Sequence, residues 1–207
     1  MPGNDGGGRM DYRLERAING FAGKHTLLDT LMRDAATWAV PVFIGVVVVW
    51  FAFGMLRGPQ QERRGPLTAL LAAGGALLVN QGVLLFWSRP RPFSAHPDSV
   101  RTLVSRSTDG SFPSDHAAAA VAIAMVLFLF HRRLGALALV VAGLVCVARV
   151  YVGAHYPGDV AAGAAVGVAV AAILCGPLAP RVGRVTGLID RVLSTMRVPL
   201  PDPPARA

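Results

Sequence analysis

Charge is scarce in this chain. Asp, Glu, Lys and Arg make up 15% of its 207 residues, against about 25% in a typical soluble domain, while 53% are hydrophobic and mean hydropathy is +0.49. That shortage excludes an ordinary soluble domain and leaves a membrane protein. Cysteine is nearly absent too. Cys146 and Cys175 both fall inside apolar runs, outside any metal-spaced cluster, and read as small buried hydrophobes that say nothing of redox compartment. No His-x-x-x-His or Glu-x-x-His pattern occurs, so neither a metal nor another cofactor is expected. There is no internal repeat. The opening MPGNDGGGRMDYR is polar and Gly-rich, which argues against a cleavable signal peptide.

The charge that is present is unbalanced. Formal net charge is +8 and the isoelectric point about 10.9. In a soluble protein this would raise nucleic acid as a partner. Here the basic residues avoid the apolar segments and collect in loops and tails, as topology-setting charges do, so the expected partner is the bilayer and not nucleic acid. Protein partners are not legible.

Five apolar stretches, roughly 36–56, 67–87, 115–131, 134–151 and 159–178, approach the length of about 20 residues that a membrane-spanning helix needs. They are rich in Ala, Gly and Val, which allow close helix approach in lipid. The expectation is an all-α integral membrane bundle of five transmembrane helices, or six if residues 11–34 also cross. Residues 1–10 read as a disordered N-terminus. Residues 11–34, broken near Gly20 and Gly23, read as an amphipathic interfacial segment or an ordinary helix against the protein. Residues 35–180 form the membrane domain and 181–207 a basic cytoplasmic tail.

With five spans, loop 57–66, the turn His131-Arg132-Arg133 and the tail fall on one face, which the positive-inside rule makes cytoplasmic. The opposite face receives loop 88–114 and junction 151–158. That loop is basic as well, through Arg89, Arg91, Arg101 and Arg106. The conflict points to arginines that bind an anion.

Three polar islands interrupt the apolar pattern on this outer face: Ser88-Arg89-Pro90-Arg91-Pro92, Gly110 to His116, and Arg149 to Asp159. Ionisable residues at span ends are costly unless paired or wet, so they default to functional candidates. Arginines make bidentate, charge-assisted bonds to phosphate oxygens, and a helix N-terminus adds N–H donors. Ser114 stands where the third span begins, as phosphate ligand, plain N-cap or both. His155 precedes Asp159 by four residues, and Pro157 favours a helix start between them. Asp159 would reach back to one imidazole nitrogen and leave the other free to attack phosphorus. His116, just inside the third span, would protonate the departing oxygen.

These motifs resemble the type-2 phosphatidic acid phosphatase superfamily, whose patterns are Lys-x6-Arg-Pro, Pro-Ser-Gly-His and Ser-Arg-x5-His-x3-Asp. The corresponding residues are Arg91-Pro92, Pro113-Ser114-Asp115-His116 and Ala148-Arg149-x5-His155-x3-Asp159, within a resemblance covering about residues 75–175. The resemblance implies a metal-independent phosphohydrolase working through a phosphohistidine. His155 would be nucleophile, Asp159 its orienting partner and His116 the acid; Arg91, Ser114 and Arg149 would bind phosphate. The family's lysine falls on Leu84, and Arg89 is the expected substitute. Its glycine is Asp115 and its serine Ala148. The run from Arg89 to His96, followed by Asp109 to His116, looks like the bacitracin-resistance type of undecaprenyl-diphosphate phosphatase. That implies hydrolysis of a polyprenyl diphosphate carrier on the outer leaflet of the plasma membrane, in support of cell-wall synthesis. The alternative within the family is phosphatidic acid or phosphatidylglycerol phosphate.

His96 is either a contact to the distal phosphate or a solvated loop residue. Asp98 and Asp109 read as loop and turn residues. Asp115 either neutralises an arginine or holds His116 protonated. A channel or transporter would place charge or helix breaks at mid-span, whereas here charge clusters at one end. A catalytically dead scaffold is disfavoured by the presence of both histidines and Asp159.

Overall fold

The computed structural model describes residues 6–57 and 64–195. Eight helices follow one another among these residues: α1 (Gly6–Asn19), α2 (Thr26–Arg57), α3 (Arg64–Phe86), the single turn α4 (Pro92–Ala95), α5 (Asp115–Phe130), α6 (Arg132–Tyr151), α7 (Pro157–Cys175) and α8 (Ala179–Thr195). Four of them, α2, α3, α6 and α7, are long and apolar enough to cross a bilayer, and α5 is a shorter apolar helix of 16 residues. Large apolar side chains point outward along them, among them Leu78 at 74% exposure and Val140 at 70%. Water would oppose such a surface and lipid matches it. The protein is a multi-pass helical membrane protein.

Helix α5 sits at the centre of the bundle, against α7, α6 and α3. Its residues Ala117–Ala124 are almost all small, and every one of them is buried. The partner face of α7 carries Gly163 and Gly167. A Cβ at Gly163 would lie 2.3 Å from the Ser114 carbonyl oxygen, and one at Gly167 would lie 2.5 Å from that of Ala118. Side-chain size therefore sets the helix separation: without driving force between apolar faces in lipid, close backbone approach supplies the dispersion contact.

The N-terminal region departs from the expectation in two ways. Residues 6–10 belong to α1 and are not a disordered tail; residues 1–5 lie outside the described residues. The segment 11–34 is broken near Gly20 and Gly23, and its second part is the start of α2, not a separate interfacial segment. It divides at residues 20–25, where Gly23 has φ +78° and its N–H donates to Asp29 Oδ1 at 2.9 Å. The first spanning helix thus begins at Thr26, ten residues before the apolar run. Helix α1 buries Glu15 and Asn19 and exposes Met10 and Leu14. Part of its polar face bonds to the protein: Asn19 Nδ2 donates to the carbonyls of Arg101 (2.7 Å) and Tyr151 (2.8 Å). At the other terminus, the expected tail is helical over Ala179–Thr195, and residues 196–207 lie outside the described residues.

The start of α5, the end of α6, the start of α7 and the end of α3 meet at one end of the bundle. The segment 87–114 roofs that end, and α1 lies against it.

Candidate active site

The junction between α6 and α7 presents His155. Gly153 turns the chain there with φ +73°, a conformation that favours glycine, and a Cβ would meet the Arg101 carbonyl oxygen at 2.8 Å. His155 is 3% exposed. Its Nδ1 donates to the Ser111 carbonyl oxygen at 2.8 Å. A carbonyl only accepts, so this bond places the ring proton on Nδ1 and leaves the lone pair on Nε2. Two guanidinium groups converge on that lone pair: Arg91 Nη1 at 3.1 Å and Arg149 Nη2 at 3.3 Å. Burial is the main influence on His155 and pushes its pKa down; the Asp159 carboxylate opposes this, and both arginines reinforce it. Burial and the two arginines favour the neutral ring.

The arginines are fixed by backbone carbonyls. Arg91 donates from Nε to Asp109 (3.1 Å) and from Nη1 to Ala154 (3.1 Å); Arg149 Nη1 donates to Ala36 (3.2 Å). Both side chains are nearly buried, so carbonyl dipoles partly replace lost water. They face a cavity of about 330 Å³ whose wall also includes His116, His155, Leu84, Ser107, Asp109 and Asp115. Two cations and two imidazoles on one small hollow are a set of groups able to hold a phosphoryl group. Among the described residues, no three His, Cys, Asp or Glu side chains group as a metal site.

A family model described as the PAP2 superfamily matches residues 65–176. The chain belongs to the PAP2 superfamily. Undecaprenyl-diphosphatase BcrC of Bacillus subtilis (strain 168) is 33% identical over 168 residues, 81% of this chain and 81% of that protein. The protein named bacitracin transport permease protein BcrC from Bacillus licheniformis is 33% identical over 154 residues, 74% of this chain and 73% of its own. Among solved structures, Aquifex aeolicus LpxE superposes with a TM-score of 0.62 at 27% identity, over 78% of this chain and 92% of that one.

Within this PAP2 site, several residues stand where the motifs alone do not place them. Asp159 is fully buried, but its Oδ2 lies 3.8 Å from His155 Nδ1, beyond hydrogen-bond length, and accepts the Tyr156 N–H at 2.8 Å. The tautomer is set by the Ser111 carbonyl, a main-chain group that no motif marks. Arg89, the expected substitute for the PAP2 lysine, is engaged by carboxylates. Its Nη1 sits between Asp11 (2.7 Å) and Asp159 (3.2 Å), its guanidinium covers the Tyr156 ring, and it is absent from the cavity wall. Leu84 does line the cavity, so the lysine position faces the site with an apolar side chain. Ser114 is the N-cap residue of α5, yet its Oγ is buried with no hydrogen-bond partner and lies outside the cavity wall.

Asp115 bonds to Asn80 (2.8 Å) and Gln81 (3.4 Å) on α3, two residues that sequence reasoning passes over. Polar side chains inside an apolar span are the available signal. His96 stacks on Tyr12 with ring centroids 3.9 Å apart and does not reach the cavity. Asp109, read as a turn residue, is part of the site through Arg91. Of the four loop arginines, only Arg91 lines the cavity; Arg106 covers Phe93, and the Arg101 N–H donates to Asn19.

Proposed function

We propose that the chain hydrolyses undecaprenyl diphosphate to the monophosphate and inorganic phosphate through a phosphohistidine at His155. The observation that carries this reading is the unprotonated Nε2, held between Arg91 and Arg149 on a cavity that also holds His116. The terminal phosphate would draw both guanidinium groups onto its oxygens and release the lone pair for attack. The Nε2–P bond forms as the bond from phosphorus to the bridging oxygen breaks, and His116, protonated, gives its proton to that departing oxygen. Water then attacks the phosphohistidine, neutral His116 takes the water proton, and inorganic phosphate leaves. Similarity to the B. subtilis undecaprenyl-diphosphatase supports the polyprenyl substrate over phosphatidic acid or phosphatidylglycerol phosphate.

The site belongs on the extracytoplasmic side of the plasma membrane, because exposed Arg132, Arg133, Arg181 and Arg184 collect at the far end of the bundle. Labelling of Asp98→Cys by an impermeant thiol reagent on intact cells tests this; protection until lysis reverses the orientation.

The deciding experiment measures turnover of the purified protein on the three lipids side by side, together with acid-labile phosphoenzyme. Undecaprenyl diphosphate is expected to be the best substrate, and His155→Ala to lose turnover and phosphoenzyme alike. Equal or better hydrolysis of phosphatidic acid overturns the substrate, and full activity in His155→Ala overturns the phosphohistidine.

A further inference from the structure

Behind Asp159, whose carboxylate faces His155 Nδ1 at 3.8 Å, a row of charges continues outward to α1, a helix remote from the site in sequence. Asp11 Oδ1 accepts the N–H of Gly158, in the first turn of α7, at 2.8 Å. Its Oδ2 lies 2.7 Å from Arg89 Nη1, the same nitrogen that lies 3.2 Å from Asp159 Oδ1. Two carboxylates therefore share one guanidinium. Asp11 is outside the cavity wall and does not reach the phosphate site. Its helix is anchored independently by Asn19 and by the Tyr12 hydroxyl, 2.8 Å from Ser99 Oγ.

We propose that Asp11 is a positioning residue for the reaction, acting on His155 through Arg89 and Asp159. Were Asp11 neutral, the Arg89 charge would fall wholly on Asp159 and cancel much of that carboxylate's field at the imidazole. By drawing Arg89 partly to itself, Asp11 leaves Asp159 negative beside the ring. That field matters most when Nε2 bonds to phosphorus and the ring becomes cationic. The second Asp11 oxygen meanwhile pins the start of α7, whose first turn carries Asp159.

The charged and titratable groups facing His155 are Asp159 from α7, Arg149 from α6, His116 from α5 and Arg91 from the segment after α3, with Arg89 and Asp11 behind Asp159. Removing the Asp11 charge leaves the other five in place, so the sign of its effect is defined. Loss of a negative charge makes the imidazole harder to protonate. The acid limb of kcat/KM, which reports His155 in the free enzyme, then moves to lower pH.

The test uses the full chain in detergent or liposomes with undecaprenyl diphosphate. Asp11→Asn is expected to lower kcat about tenfold with KM within about twofold, and to move the acid limb to lower pH by roughly half a unit. Asp11→Glu, which restores the charge, is expected to return the limb toward its original position. Should Asp11→Asn not purify as a folded protein, Asp11→Ser removes the charge with a smaller polar side chain and is read in the same way. An unmoved limb, a rise in KM at constant kcat, or equal losses in the Asn and Glu variants overturns the inference. The inference rests on the phosphohistidine reading. Turnover retained in His155→Ala overturns both, whereas an inert His155→Ala with an unmoved limb in Asp11→Asn overturns this one alone.

Discussion

Arginines at the two ends of the bundle do different work with the same side chain. At one end Arg91 and Arg149 are 8% and 9% exposed and converge on a single histidine nitrogen. At the other, Arg64, Arg132, Arg133, Arg181 and Arg184 are exposed at helix ends. A buried guanidinium has lost most of its water and is held by carbonyl oxygens, so an arriving phosphate regains charge pairing at little reorganisation cost. An exposed one keeps its hydration, is screened by salt, and acts on topology through the number of charges and not their geometry. Position along the chain does not separate the two classes; burial and convergence do. Arg89 shows the point within one island. It stands two residues from Arg91, but its charge is committed to two carboxylates.

The largest break in this comparison is expected from Arg149→Ala. Truncating a buried, hydrogen-bonded charge in a phosphate cradle costs about 2–5 kcal/mol, so kcat/KM should fall on the order of 10²-fold or more. Arg149→Lys should recover only part of it, because an ammonium cannot reproduce the fork that reaches both Ala36 and the cavity. A steady-state comparison of the two variants checks this. If lysine restores full activity, the site needs only a positive charge, as the far end does.

The pH profile gives the next effect. On the phosphohistidine reading, attack requires neutral His155, and burial lowers its pKa with the help of both arginines. A lowered pKa means that the ring gains its proton only below the ordinary imidazole range, so the acid limb of kcat/KM should lie lower than a solvated histidine would give. A limb at the ordinary histidine value would show that the arginines and burial do not act on the ring as the geometry implies. Leu84→Lys is a smaller test. It returns a cation to the cavity wall, and inhibition by inorganic phosphate should tighten about three- to tenfold, since one partly screened charge contributes roughly 1 kcal/mol. No change would mean that Arg91 and Arg149 already satisfy the phosphate. The smallest effect belongs to the far end. Arg132→Gln with Arg133→Gln should leave kcat/KM within about twofold, the scale of an ordinary surface substitution.

Much of the molecule is legible in the amino-acid order alone. Five apolar runs are visible because lipid demands long uninterrupted hydrophobic segments. The His155-x3-Asp159 spacing is visible because a helix start brings those positions within one turn. Legibility ends where a residue's role depends on distant partners. Arg89 looks like a spare cation because its partners Asp11 and Asp159 lie 78 and 70 positions away in the chain. Asn80 and Gln81 draw no notice because their polar side chains meet Asp115 only across α3 and α5.

The sequence by itself determined the solvent of this protein, the end of the bundle at which the candidate site residues collect, and the residue types available there. These follow from local properties: hydropathy over a helix length, and spacing within one turn. Only the tertiary structure decided which nitrogen of His155 is free, because a main-chain carbonyl at Ser111 takes the other, and main-chain groups look alike in every sequence. It also decided which arginines face the cavity, since the direction of a guanidinium is set by carbonyls and carboxylates that other helices bring to it.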